Sequence, residues 1–159
     1  MPALLTPLDA EALRAEGVPA PFRIGQADRV RFRELDVLDH VNNAVYLSWF
    51  ETFRIAYFRA TGLSNYAGSA DRPVFVLKQV GVDFLAPLHL EDVYIVAGRV
   101  RAYRRTSFTM EYGVWHDGRR HAAGHAVICL MEQDFVTRKA LPERYREVFR
   151  TDGATAEGE

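Results

Sequence analysis

The sequence predicts an α+β fold in which an antiparallel sheet curves around one long helix. Three observations carry this. Residues 43–60 form a helical pattern that is apolar around most of its circumference, with Ser48, Glu51, Thr52 and Arg59 sharing one narrow polar stripe. One strand-like segment precedes that helix and four follow it in succession, an order that favours antiparallel pairing. A helix this apolar in a chain of 159 residues needs cover on most sides, and a curved sheet supplies it.

The elements read in order as follows. Thr6-Pro7-Leu8-Asp9 looks like a helix start, with Thr6 as N-cap, Pro7 at the first helical position and Asp9 near the positive end. Gly17 and Pro19 stop this helix. Residues 22–35 read as a strand, because Val30 and Phe32 alternate with Arg29, Arg31 and Arg33. A polar stretch follows, and Asn42 or Asn43 can cap the long helix that Gly62 ends. Residues 74–85 and 92–103 are apolar and β-branched. In the next strand Phe108, Met110, Tyr112 and Val114 alternate with Ser107, Thr109 and Glu111. Asp117-Gly118 makes a hairpin turn, and residues 122–132 form the last long strand. Pro142 opens a short helix reaching about 149. The expected organisation is an N-terminal helical extension at 1–20, the main domain at 21–150 and a flexible tail at 151–159.

Composition narrows the function. The chain is 48% hydrophobic and 26% charged, as in ordinary globular proteins. Lys and Arg number 20 against 21 Asp and Glu, whereas a general nucleic-acid binder is usually basic. Cys129 is the one cysteine, so no internal disulfide forms and a reducing compartment fits. No apolar run reaches a membrane span, and residues 1–19 lack the pattern of a signal peptide. A soluble, cytoplasmic protein with neither membrane nor nucleic-acid partners is expected.

Several chemistries lack their motifs. Ser64 sits in Gly62-Leu63-Ser64-Asn65-Tyr66, without the second glycine of a nucleophile elbow, and no phosphate-binding glycine loop is present. Cys129 falls in the middle of a strand and reads as core. His121 and His125 share a strand face but have no clear further ligands, so neither a metal site nor a cofactor is predicted. The segment from Arg33 to Tyr46 is different. It concentrates Asp36, Asp39, His40, Asn42 and Asn43 between a strand and the most apolar helix. One reading is a capped, solvated loop. The other uses the free N–H groups and partial positive charge at a buried helix start to bind a carbonyl oxygen that turns negative, with Asp36 attacking the carbonyl or activating water beside it.

Glu34-x-Asp36-x-x-Asp39-His40-Val41-Asn42-Asn43-x-x-Tyr46 resembles the signature of hotdog-fold acyl-CoA thioesterases of the 4-hydroxybenzoyl-CoA thioesterase group. The stretch from Glu34 to Asn43 also looks like the plant acyl-ACP thioesterases. The resemblance continues through residues 46–54, 82–87 and 141–143. It implies a five-stranded antiparallel sheet around the long helix, with small terminal helices, in homodimers or homotetramers whose active sites lie at the dimer interface. It implies that Asp36 is the catalytic carboxylate, as nucleophile or general base, and that the Asn43 N–H polarises the carbonyl. His40 and Asn42 shape the loop, His40 orients substrate or water, and Tyr46 lines the acyl pocket. Asp39 stands where many bacterial relatives carry glycine, and Leu38 where the plant enzymes carry asparagine. Glu51 is a second candidate carboxylate, although with Arg54 three residues on it also reads as half of a helix-surface ion pair. Arg101, Arg104 and Arg105 cluster before Thr106; Arg104, Arg105 and Thr106 are the expected contacts for CoA phosphates near the pocket mouth, with Lys78, Arg138 and Lys139 as weaker candidates. The expected reaction is hydrolysis of an acyl-CoA to a carboxylic acid and free CoA. Hydrolysis of acyl-ACP, hydration of an enoyl thioester and non-catalytic acyl-CoA binding are the alternatives.

Overall fold

A computed structural model describes residues 1–66 and 72–158. The elements are β1 (Pro7–Leu8), α1 (Ala10–Ala15), β2 (Ile24–Arg29), α2 (Val45–Ala60), β3 (Val74–Phe84), β4 (Val93–Tyr103), β5 (Ser107–His116), β6 (Arg119–Met131), α3 (Glu143–Thr151) and β7 (Thr155–Ala156). The sheet runs in the order β1-β2-β4-β5-β6-β3, antiparallel throughout, with β7 added in parallel to the end of β4. The five expected strands are present, and two more of two residues each bring the sheet to seven.

The long helix packs on one face of the sheet. Tyr46, Trp49, Phe50, Phe53, Tyr57 and Phe58 of α2 are buried against Tyr94, Val96 and Val100 of β4, the predicted set Phe108, Met110, Tyr112 and Val114 of β5, and Ala122, Ala126, Ile128 and Leu130 of β6. Glycines let the rings approach the sheet. A Cβ on Gly124 would stand 2.5 Å from Phe50, and one on Gly98 would stand 2.6 Å from Phe53. On the opposite face Leu13, Val18, Phe22, Ala27, Ile95, Ala97 and Trp115 form a smaller core beneath α1. Among the described residues no helix is long and apolar enough to cross a membrane.

The structure corrects the sequence reading in four places. Asp9, not Thr6, caps α1, accepting from the Ala12 N–H at 2.9 Å, because Pro7 and Leu8 are already paired with Gln26 and Gly25. The first strand stops at Arg29. Val30 is 1% exposed but Phe32 is 80% exposed, because residues 32–34 turn into a 3-10 helix. Helix α2 begins at Val45, with Asn42 and Asn43 outside it and Ala44 in the cap position. The expected flexible tail is tied down over its described part. Thr151 ends α3, and the Asp152 carboxylate is buried, accepting from the Tyr57 hydroxyl and from the Val100 N–H at 3.0 Å. Arg23 donates to the Thr151 carbonyl at 2.8 Å and Arg99 to the Asp152 carbonyl at 2.9 Å. A single acidic residue in a small polar stretch gave no sign of these partners 50 or more residues away. Gly62 and the Asp117-Gly118 turn behave as expected, with φ of 74°, 52° and 72°.

Asp152→Ala leaves the buried Val100 N–H and Tyr57 hydroxyl without their acceptor. It should cost about 1–3 kcal/mol of unfolding free energy in urea titrations; an unchanged midpoint would refute this role.

Candidate active site

Between β2 and α2 the chain makes a tight excursion that closes on itself. The Asn42 N–H donates to the Glu34 carbonyl at 2.8 Å, Leu35 and Val41 pair as an isolated bridge, and the Asp36 N–H donates to the His40 carbonyl at 2.8 Å. The Val41 N–H reaches the Leu88 carbonyl at 3.0 Å and holds the loop to the connection between β3 and β4. Asp39 has φ of 59°, the left-handed conformation that glycine adopts freely and aspartate tolerates. The loop therefore keeps a left-handed turn at this position, and Asp39 is exposed.

This folding fixes the Asp36 carboxylate. Its Oδ1 accepts from the Leu38 N–H at 2.8 Å and the His40 N–H at 3.3 Å. Oδ2 has no partner among the described residues and is available for chemistry. The turn into α2 contributes to the same cleft. The Asn42 carbonyl accepts from the Val45 N–H at 3.0 Å, and its side chain accepts from the Ala44 N–H at 2.9 Å. The Asn43 N–H between them has no acceptor among the described residues, and it lies at the positive end of a 16-residue helix.

Asp36, His40, Asn43 and Tyr46 line one cleft of about 380 Å³ with Leu38 and Val41, and its far wall is Phe84, Leu85, Ala86 and Pro87. The Tyr46 ring packs against Trp49 at 5.0 Å and Phe84 at 5.1 Å. Burial raises its hydroxyl to about 12, so it stays protonated. The His40 ring meets the edge of His89 at 5.1 Å. Four of the residues singled out from the sequence thus meet in one place. Asn42 does not line the cleft; its side chain shapes the turn.

The sequence reading assigns no site role to this far wall, whose signals are the apolar run closed by Pro87 and the resemblance over residues 82–87. His121 holds it. Its carbonyl accepts from the Leu85 and Ala86 N–H groups at 2.9 and 3.1 Å, and its Nδ1 lies 3.0 Å from the Pro87 carbonyl. An irregularity in pairing between Val114 and Trp115 sets His121 apart from the regular register, while the His125 ring lies over Gly81. The two histidines therefore serve separate contacts. Among the described residues no group of three or more His, Cys, Asp or Glu comes together to hold a metal ion.

The expected ion pair between Glu51 and Arg54 is absent. Arg54 donates to the Tyr112 hydroxyl at 3.2 Å, and Glu51 is exposed and outside the lining of the Asp36 cleft. Arg104, Arg105 and Thr106 do form a basic cleft, with Lys78 and Arg138, of about 350 Å³. It is not at the mouth of the Asp36 cleft of the same chain. The β4–β5 turn lies level with Val76 of β3, through Cys129 and Ser107, whereas the Asp36 cleft is walled by Phe84. At about 3.3 Å per residue the two ends stand roughly 26 Å apart along the strand. Arg104 is also paired with Glu157 at 3.2 Å.

Residues 30–149 match the thioesterase-like superfamily. The chain is 29% identical over 79 residues to the acyl-CoA thioester hydrolase YbgC of Escherichia coli O6:H1, a match covering 50% of this chain and 59% of that protein. It thus spans little more than half the length of the curated relatives it matches. A thioesterase-superfamily protein from Jannaschia sp. CCS1 superposes with a TM-score of 0.91 at 42% identity, over 99% of this chain and 100% of that one. A thioesterase from Thermus thermophilus, solved with coenzyme A and Zn, gives 0.68 at 36% identity over 82% and 98%.

Burial lowers the pKa of His121 below its usual value, against the opposing hydrogen bond to Pro87. The unfolded chain then takes up this proton first, so stability falls as pH drops below about 6.5. His121→Gln should flatten that part of the stability–pH curve measured by denaturant titration, and a mutant curve parallel to the wild type would refute the assignment.

Proposed function

This chain belongs to the thioesterase-like superfamily, and on that footing we propose that it hydrolyses an acyl-CoA thioester to a carboxylic acid and free CoA. The observation that carries the reading is the pair lining one cleft: the Asp36 carboxylate, whose Oδ2 has no partner among the described residues, and Asn43 at the start of α2, whose N–H has no acceptor among them. A thioester carbonyl oxygen seated on the Asn43 N–H gains negative charge as the carbon is attacked. The helix start stabilises that charge beside the rings of Tyr46 and Phe84 in the same cleft. Asp36 serves as nucleophile, forming an anhydride that water cleaves, or as general base, taking a proton from the attacking water. Either way the C–S bond breaks, the thiolate leaves and acquires a proton, and water supplies the oxygen and hydrogen of the acid. His40 orients water or substrate, and Tyr46 lines the acyl pocket. The relatives named for acyl-CoA thioester hydrolysis and solved with coenzyme A support CoA as the carrier. The buried Cys129 suits the reducing cytoplasm, which we assign as the location.

The working unit we propose is a homodimer, or a pair of dimers. Strand β3 is a free edge, with Val76, Leu77, Phe84 and Leu85 between 38% and 54% exposed. Two such edges paired antiparallel about a two-fold axis bring the Val76 end of one subunit to the Phe84 end of the other. The basic cleft of Arg104, Arg105 and Thr106 then serves the Asp36 cleft of the partner, where guanidinium groups grip the phosphates of CoA.

Thiol release from short, long and aromatic acyl-CoA esters tests the reaction. The wild type should release thiol and Asp36→Asn should lose 100-fold or more, the order expected for a catalytic group. No release from any ester would overturn the reading, and full activity in Asp36→Asn would overturn the residue's role. Arg104→Ala with Arg105→Ala should raise KM roughly tenfold for CoA esters, the effect of losing a charged hydrogen bond, and leave short thioesters without the nucleotide unaffected. Equal effects on both substrates would remove the phosphate contact. Light scattering should show a dimer or tetramer; a monomer at micromolar concentration would refute the shared site.

A further inference from the structure

We propose that Glu34 is the positioning residue of the Asp36 loop, holding the distance between Asp36 and the Asn43 N–H through hydrogen bonds that only an acceptor on both oxygens can receive. The proposal rests on the reading of Asp36 given above. Glu34 is 9% exposed, the only carboxylate besides Asp152 buried to this degree among the described residues. It is absent from the lining of the Asp36 cleft and lines a separate cavity of about 230 Å³ with Trp49 and Tyr94, which places it away from the reacting thioester.

Its side chain makes no ion pair among the described residues, and Arg31, close in sequence, pairs with Asp28 at 3.1 Å instead. Glu34 uses every acceptor it has. Oε2 accepts from the Arg31 N–H at 2.8 Å, Oε1 accepts from the Trp49 indole at 3.1 Å, and the carbonyl accepts from the Asn42 N–H at 2.8 Å. One residue therefore fastens the chain before the loop, the chain after the loop and the first turns of α2. Asp36 lies two residues beyond its backbone, and Asn43 is next to its partner Asn42. The Trp49 ring it holds is stacked on Tyr94 at 3.8 Å and packs on Tyr46 of the cleft wall.

The chemistry of the two side-chain partners is restrictive. A backbone N–H and an indole N–H are both donors only. Glutamine presents one acceptor and one amide donor, so it satisfies one partner and sets N–H against N–H at the other. Removing the indole donor relieves that conflict.

The test compares Glu34→Gln, Trp49→Phe and the double variant by thiol release, with melting temperature and amide exchange recorded on each. In Glu34→Gln kcat should fall roughly 10- to 100-fold, as small misplacements of reacting groups do, at a temperature where the protein stays folded. KM should stay within about twofold, since no substrate contact is lost. The Asn42 and Leu38 amides should exchange faster. The double variant should recover part of the lost kcat. Wild-type kcat in Glu34→Gln, a loss matched by the unfolded fraction, or a double variant no better than Glu34→Gln would overturn the proposal. If Glu34→Gln does not fold, Trp49→Phe decides: faster Asn42 exchange with lowered kcat supports it, and wild-type values for both overturn it. If the wild type cleaves no thioester, the functional reading has failed, while Asn42 and Leu38 exchange still judges the clamp.

Discussion

The height at which α2 rides on the sheet governs the molecule. Phe50 stacks on Tyr112 at 4.7 Å, and the glycines at 98 and 124 leave room for Phe53 and Phe50 to lie directly on the strands. Side chains at either position would lift the helix or force its rings off their rotamers. Because a helix is rigid, that height also decides where its first residues stop. The Asn43 N–H, the Tyr46 ring and the Trp49 indole are delivered to one end of the sheet as a unit, and the loop from β2 only has to meet them there.

The meeting is made by short-range hydrogen bonds rather than by charge pairing. Asp36 is held by two backbone N–H groups, the loop ends are joined through Glu34, and no ion pair enters the cleft among the described residues. Backbone donors fixed by the fold do not reorganise when charge develops nearby, which makes them effective in stabilising an oxyanion. The left-handed residue at 39 shows how local this construction is. The loop takes that conformation at 39, and aspartate, one of the side chains that tolerate it, supplies it here.

Much of this was legible in the residues. The apolar circumference of residues 43–60 announced the central helix, the alternation from Phe108 to Val114 named the face it rests on, and the crowding of Asp36, His40 and Asn43 before the helix drew attention to the proposed site. What escaped was whatever depends on contacts distant in sequence. The Arg104 turn looked adjacent to the cleft because nothing in a linear pattern says which end of a strand it caps; the register of β3 with β6 and of β6 with β5 places it at the other end. Asp152 looked like tail because its partners, Tyr57 and Val100, belong to other elements. Phe32 looked like core because period-two alternation continues in the sequence past the point where the backbone turns. Glu34 read only as a letter of a motif, since its burial follows from the indole of Trp49 coming down on it.

The strand order carries a consequence for how the protein comes into being. Strand β3 follows α2 directly, yet its neighbour in the sheet is β6, and Val74 pairs with Met131. The ribosome makes β3 long before its partner exists, and closing so large a loop is entropically slower than zipping the β4–β5 and β5–β6 hairpins. The β3 edge therefore waits on the last long strand, and with it the wall from Phe84 to Pro87 that completes the cleft. Strand β2, which leads into the Asp36 loop, pairs with β4 between residues 64 to 74 apart, so both sides of the cleft wait on long-range pairing and the proposed activity reports on the integrity of the whole sheet.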